Sequence, residues 1–348
     1  MVTVDASIEP MLAKAVTGVP ATAPGGGGLL YEPKWDGFRG VVAFDGDRVE
    51  IGSRGGKTLT RYFPELVEGL AAALPGPCVL DGEVVVPSGA PGAQRLDWEA
   101  LSQRIHPAAT RIAKLSQETP ARFVAFDLLA DGEDSLLETP FGERRRRLEA
   151  LLPHPSGPLS VTRVTDDAAL AERWLAEFEG AGLDGIVAKP VDAVYQPGKR
   201  TMLKVKHHRT ADVIVTGYRI HASGHGVGSL LVSLWDGEQL RQIGGISAFT
   251  QKVRDALIDE LAPVAERDEQ GGLLRGQSDR NRFSSNKDTS FVRLRPERVV
   301  EVRYDQMEGD RFRHTVQFER WRPDRDPSSC TFAQLEVPHA YDLGDVMR

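Results

Sequence analysis

The segment Tyr31-Glu32-Pro33-Lys34-Trp35-Asp36-Gly37-Phe38-Arg39 sets a lysine between an alternating apolar run and a glycine turn. There a lysine can be held rigidly, partly desolvated and close to an incoming phosphate. Lysine ordinarily titrates near ~10.4, so nucleophilic use needs desolvation or neighbouring cations. Arg39, Lys204 and Lys206 can supply them. Four further segments carry groups of matching chemistry. Ser53-Arg54-Gly55-Gly56-Lys57 offers an arginine that can fork onto a ribose or phosphate oxygen. Leu80-Asp81-Gly82-Glu83-Val84 puts the Glu83 carboxylate in mid-strand, and FVAFDLL places Phe126 where a ring can stack or simply fill core. Leu183-Asp184-Gly185-Ile186-Val187-Ala188-Lys189 puts an acid at a strand mouth, suited to a hard cation. In Leu203-Lys204-Val205-Lys206 the alternation sets both lysines on one strand face.

The elements that must position these groups can be read from periodicity and turn chemistry. LLYEPK, VVAF, RVEIGS, PCVLDGEVVV, RFVAFDLLA, VTRV and GIVAKP read as strands, with Asp45-Gly46-Asp47 as a hairpin turn. Helices are expected over residues 63–74, over 97–105 started by Asp97, over 139–152, and over 166–181. After Val205 the pattern changes to short strands punctuated by glycine: DVIVTGYRI, SLLVSLWD, QLRQIGG, RVVEVRYD and HTVQF, with one helix over 250–261. That points to a small β-barrel of the OB type. The expected organisation is α+β, with a lead-in over 1–28, a catalytic domain over 29–206 and an OB-fold domain over 207–348. Residues 266–286, rich in Gly, Arg, Asp and Ser, read as a surface loop.

The length of 348 residues suits about two domains, and 41% hydrophobic with 27% charged residues excludes a disordered or fibrous chain. No run approaches ~18 uninterrupted apolar residues, and the N-terminus lacks a secretory signal pattern, so a cytoplasmic protein is expected. Cys78 and Cys330 fit neither a disulfide framework nor a zinc site. The net charge of −7 excludes an all-round basic coat. Basic stripes occur at 199–209, at 144–147, and over 293–325, where nine arginines face seven acids. Such stripes suit an anionic substrate held in a groove. Gly56-Lys57-Thr58 is no phosphate-binding loop, because Ile51 stands where that motif needs glycine. Gly224, Gly226 and Gly228 lie in a β context and read as a turn.

Taken in order, these segments resemble the covalent nucleotidyltransferase superfamily of ATP-dependent DNA ligases, RNA ligases and mRNA capping enzymes. Lys34-Trp35-Asp36-Gly37 matches its K-x-D-G signature, and the resemblance runs from about Glu9 to about Pro327. It is strongest to the compact, stand-alone ligase C group of bacterial DNA ligases. The resemblance implies that Lys34 becomes adenylated with Asp36 beside it, and that Glu32 recognises the adenine amino group. It also implies that Arg39, Arg54 and Glu83 hold the ribose and that Phe126 stacks on the base. Asp184, with Glu83, would hold Mg²⁺ or Mn²⁺, and Lys204 and Lys206 would contact the α-phosphate. Arg322, Asp324 and Arg325 resemble the C-terminal ligase motif and would act on the ATP phosphates after a swing about residues 206–210. Three positions depart from the usual pattern: Asp184 for Glu, Arg325 for Lys and Met202 for Trp. Implied partners are nicked duplex DNA and, among proteins, a repair polymerase or an end-binding protein, with the chain a monomer off the membrane. An RNA ligase or capping-type enzyme is the nearest alternative, and a non-catalytic OB-type binder a more distant one.

Overall fold

The structure, a computed structural model, describes residues 5–207, 209–277, 289–335 and 339–347. The chain divides into two compact units, Met1–Lys206 with Pro338–Arg348, and His207–Val337. Residues 278–286 of the expected loop and His208 of the basic stripe lie outside the described residues. The preceding part of that loop contains a strand, Arg275–Gln277, paired with Ser290–Arg293.

Among the described residues the first unit has two large sheets besides the short pair Pro87–Ser88 and Arg95–Leu96. One runs Leu12–Ala15, Arg200–Val205, Ile186–Pro190, Leu29–Pro33; the other runs Leu159–Val161, Arg122–Asp131, Cys78–Val85, Phe38–Phe44, Val49–Ser53. The expected hairpin forms because Asp45 Oδ1 accepts from the amides of Asp47 and Arg48 at 2.8 and 2.7 Å while Gly46 takes φ +104°. Asp97 caps the Trp98–Gln103 helix through the amide of Ala100, and Asp167 caps Ala168–Glu177 through that of Ala169. The helix Pro64–Ala73 drives Leu66 and Leu70 into the core over the second sheet. One helix, Ala109–Glu118, escapes the sequence reading: it buries only Ile112 and Leu115 and has no side-chain cap.

The second unit is an OB fold whose described residues form a seven-stranded sheet and one long helix, Gln251–Leu261. Its core gathers Val213, Val215, Leu230, Val232, Ile243, Val300 and Val302, closed by Leu257 and Leu261 of the helix. The strand expected at HTVQF lies instead at Gln317–Trp321. Its register against Val299–Tyr304 shifts between Glu301 and Val302, so Phe318 and Trp321 both meet inward valines despite a spacing of three. A bulge of this kind breaks the alternation on which strand reading depends.

The chain end also departs from expectation. The sequence assigns residues up to 348 to the second domain, but the tail packs on the first unit. Leu343 and Val346, one helical turn apart, are buried with Trp174 and Phe178. The Gln94 amide donates to Asp342 Oδ1 at 2.8 Å, and Arg163 donates to the carbonyls of Asp345 and Val346. Both cysteines are free and buried, and burial pushes the Cys78 thiol up to about 12. Among the described residues no helix is long and apolar enough to cross a membrane.

Candidate active site

Lys34 follows directly on the strand Leu29–Pro33, whose antiparallel partner Ile186–Pro190 begins just after Asp184-Gly185. The Lys34 amide donates to the Gly185 carbonyl at 2.8 Å, and the Asp184 amide returns a bond to Lys34 at 2.9 Å. Trp35 points the other way into the core and donates from Nε1 to Thr162 Oγ1 at 2.8 Å, which anchors the turn. Two glycines permit the close approach. A Cβ on Gly37 would stand 2.2 Å from the Val84 carbonyl oxygen, and one on Gly185, at φ +127°, 2.0 Å from that of Val205.

This pairing brings Lys34 Nζ within 2.6 Å of Asp184 Oδ2, which Lys206 Nζ also reaches at 2.8 Å. Burial opposes the charge on Asp184, yet the two ammonium groups hold its carboxyl below the ordinary carboxylate range. Lys204 is shifted downward, by burial first and then by repulsion from Lys34 and Lys206. Asp36, two residues on from Lys34, is half-buried. Glu83, in register with Arg39 on the neighbouring strand, is pushed up to about 7 by burial, against the opposing pull of Arg39 and Lys34.

Three residues that the sequence reading passed over, Asp81, Lys189 and Tyr195, join Arg39, Glu32 and Phe126. Arg39 forms a bidentate pair with buried Asp81, Nε at 2.5 Å and Nη2 at 2.7 Å, and Tyr195 Oη donates to the same carboxylate at 2.7 Å. The Arg39 guanidinium lies 4.4 Å from the centroid of Phe126. Lys189 Nζ lies 4.5 Å from that centroid, 3.2 Å from the Phe126 carbonyl oxygen and 2.7 Å from Glu32 Oε2. Glu32 is 2% exposed, and its burial raises its pKa against Lys189 and Arg145. Its Oε1 stands 3.6 Å from Arg145 Nη1, too far for a hydrogen bond, and both atoms are buried without one.

Asp81 and Lys189 sit inside segments read for Glu83 and Asp184, and Tyr195 gave no signal. Arg144 and Arg145 look like part of a basic face, yet both are internal. The signal was spacing: Phe141, Arg144, Arg145 and Leu148 fall on the core-facing stripe of one helix. Arg54 is exposed on the turn after Val49–Ser53. In the second unit Arg322, Asp324 and Arg325 do cluster. Arg322 donates to Asp324 at 2.9 and 2.8 Å, which holds the Asp324 carboxyl down at about 2.

Residues 10–206 match the family described as the ATP dependent DNA ligase domain, and residues 223–325 match the ATP dependent DNA ligase C terminal region. The chain is 54% identical to DNA ligase C1 of Mycolicibacterium smegmatis over 98% of its own length and 97% of that protein. It is 50% identical to DNA ligase C of Mycobacterium tuberculosis, over 98% and 97% respectively. A solved structure from a study of Lig E DNA ligases shares the fold at TM-score 0.55 and 18% identity, over 90% of this chain and 99% of that one.

Proposed function

The chain belongs to the ATP-dependent DNA ligases, and from that premise we propose that Lys34 is the residue it adenylates. The observation that carries this assignment is the pairing of Lys34 Nζ with Asp184 at 2.6 Å, inside a patch that also holds Lys204 and Lys206. Asp184, kept ionised by two lysines, is a weak base; its part is to aim Nζ. Lys34 Nζ, as the neutral amine after losing a proton to water, attacks the α-phosphorus of ATP; a P–N bond forms, the P–O bond to pyrophosphate breaks, and the nitrogen's second proton passes to solvent. Lys204 and Lys206 offset charge growing on the phosphate oxygens. The 5′-phosphate at a nick in duplex DNA then displaces Lys34, and the 3′-hydroxyl displaces AMP. The arginine cluster around Arg322 serves the first step by drawing on the departing pyrophosphate.

The base end suits adenine. Glu32 Oε1 is a buried acceptor without a hydrogen bond, which an amino group satisfies, and Phe126 provides the ring. Arg39 and Glu83 hold the sugar, with Arg54 at the exposed rim. Among the described residues no three His, Cys, Asp or Glu side chains form a metal cage. Asp184 and Glu83 nevertheless fit Mg²⁺, which takes one or two carboxylates and completes its shell with phosphate oxygens and water. Such an ion would stabilise the charge of the triphosphate. DNA repair in the cytoplasm, by a monomer working beside a repair polymerase or end-binding protein, is the setting this reading favours.

Incubation with α-labelled ATP and Mg²⁺ tests the assignment. The wild type should acquire an acid-labile, alkali-stable label, and Lys34→Arg should acquire none, since arginine stays protonated and is a poor nucleophile. Wild-type labelling of that variant removes Lys34 from the role.

A further inference from the structure

Arg322, Asp324 and Arg325 meet a fourth charged residue that belongs to none of the motifs above. Asp212 lies on the strand Arg209–Ile220, opposite Glu301 of Val299–Tyr304. Its carboxylate accepts from Arg322 Nη1 at 3.0 Å through each oxygen, and Arg325 Nε stands 3.6 Å away. The backbone of Asp212 is fixed as well. Its amide donates to Gln334 Oε1 at 2.8 Å, while Gln334 Nε2 donates to the Asp212 carbonyl at 2.9 Å and to that of Thr331 at 3.1 Å. One side-chain amide thus takes the place of a neighbouring strand. Gln334 lies beyond residue 325, where the match to the C-terminal ligase family ends.

The two carboxylates on Arg322 are not equivalent. Asp324 takes the Nε and Nη2 edge and is 63% exposed, whereas Asp212 takes Nη1 and is 14% exposed. Water competes freely for the Asp324 pair and poorly for the Asp212 pair. A guanidinium pinned at one corner also keeps the plane of its remaining donors, which a bidentate contact to phosphate requires.

We infer that Asp212 and Gln334 are positioning residues for the adenylation step. Gln334 fixes Asp212, Asp212 pins Arg322 and steers Arg325, and the arginine edge that Asp324 covers is the edge exchanged onto phosphate oxygens. This rests on the reading that Arg322 acts on the ATP phosphates.

Four variants separate the two ideas: Arg322→Ala, Asp212→Asn, Asp212→Glu and Gln334→Ala. Each is assayed for single-turnover self-adenylation at saturating ATP and for sealing of a nick that already carries 5′-AMP. Asp212→Asn should slow adenylation about tenfold or more, Gln334→Ala roughly threefold to fivefold, and Asp212→Glu should recover part of the loss. Sealing of the pre-adenylated nick should stay within about twofold of wild type in all three. Equal losses in both assays would make Asp212 merely structural and overturn the inference. Normal adenylation by Asp212→Asn and Gln334→Ala alongside a defective Arg322→Ala would overturn it while leaving the role of Arg322 standing. Normal adenylation by Arg322→Ala would remove that role itself. Gln334→Ala keeps every charge, so it decides the matter should Asp212→Asn fold poorly.

Discussion

The charged groups around Phe126 in the first unit and those around Arg322 in the second are held by the same chemistry in different surroundings. Asp127 and Arg144 form a bidentate pair at 2.8 and 2.8 Å with essentially no solvent contact. Glu32, Asp81 and Lys189 are equally enclosed. Breaking one of these pairs strands a charge in a medium that cannot solvate it, so their geometry is set before any nucleotide arrives. Around Arg322 an exposed carboxylate shares the guanidinium with an enclosed one, and the exposed pair can be traded for another anion. The first arrangement suits the base recognition proposed for it, and the second suits the proposed contact made in one step and released in the next.

The largest effect expected from this contrast is on stability. Arg144→Met should cost about 3–5 kcal/mol, because Asp127 is left buried and alone. Arg144 Nη1 also serves the carbonyls of Thr139 and Ala193, so the loop after Arg122–Asp131 should loosen with it. Arg322→Ala should lower the unfolding midpoint far less, because Asp324 is open to water and Asp212 keeps Arg325 at 3.6 Å. Urea denaturation of both variants measures the difference, and similar midpoints would break the contrast.

A smaller effect is expected at the boundary between the two kinds of surroundings, where Glu83 sits. Burial pushes its pKa from 4.5 up to about 7, so the folded chain keeps a proton that the unfolded chain has lost. Its contribution to stability therefore declines as pH rises from about 4.5 to about 7 and is flat above. Activity should run the other way if ionised Glu83 holds the sugar and metal, with self-adenylation gaining a rising limb centred near 7. Glu83→Gln should lower the rate and flatten that limb. A limb of unchanged position in that variant would assign the titration to another group.

These groups were unequally legible in the sequence. Lys34, Glu83, Asp184 and the lysine pair stand in short segments whose spacing is dictated by strand ends and tight turns, and those constraints leave marks such as Gly37 and Gly185. Asp81, Lys189 and Tyr195 act through side chains that converge from three separate elements, and no local pattern announces convergence. Arg145 was hidden by its composition, since a basic run suggests a solvated face unless its phase against Phe141 and Leu148 is read first. Asp212 and Gln334 are 122 residues apart and meet only once the barrel closes. The tail was assigned to the second domain because nothing in Leu343 and Val346 says which apolar surface they cover.

The smallest expected effect comes from the same helix as the largest. Arg146 and Arg147 continue the run begun by Arg144 and Arg145, but they project outward, and Arg146 is 74% exposed. Both pair with Glu143, Arg146 three residues on and Arg147 four residues on, so Glu143 keeps one partner when the other is lost. Exposed pairs at this spacing contribute only tenths of a kcal/mol. Arg146→Ala should accordingly change stability by well under about 1 kcal/mol and leave adenylation at its wild-type rate. Arg145→Ala, two bonds poorer to Glu149 and the Thr162 carbonyl and with Glu32 left facing Lys189 alone, should lose both stability and ATP labelling. Neighbouring arginines of one tetrapeptide then behave as differently as the two units do. If Arg146→Ala matched Arg145→Ala in either measurement, solvent exposure would not be what separates the fixed cluster from the exchangeable one, and the comparison between the units would lose its physical basis.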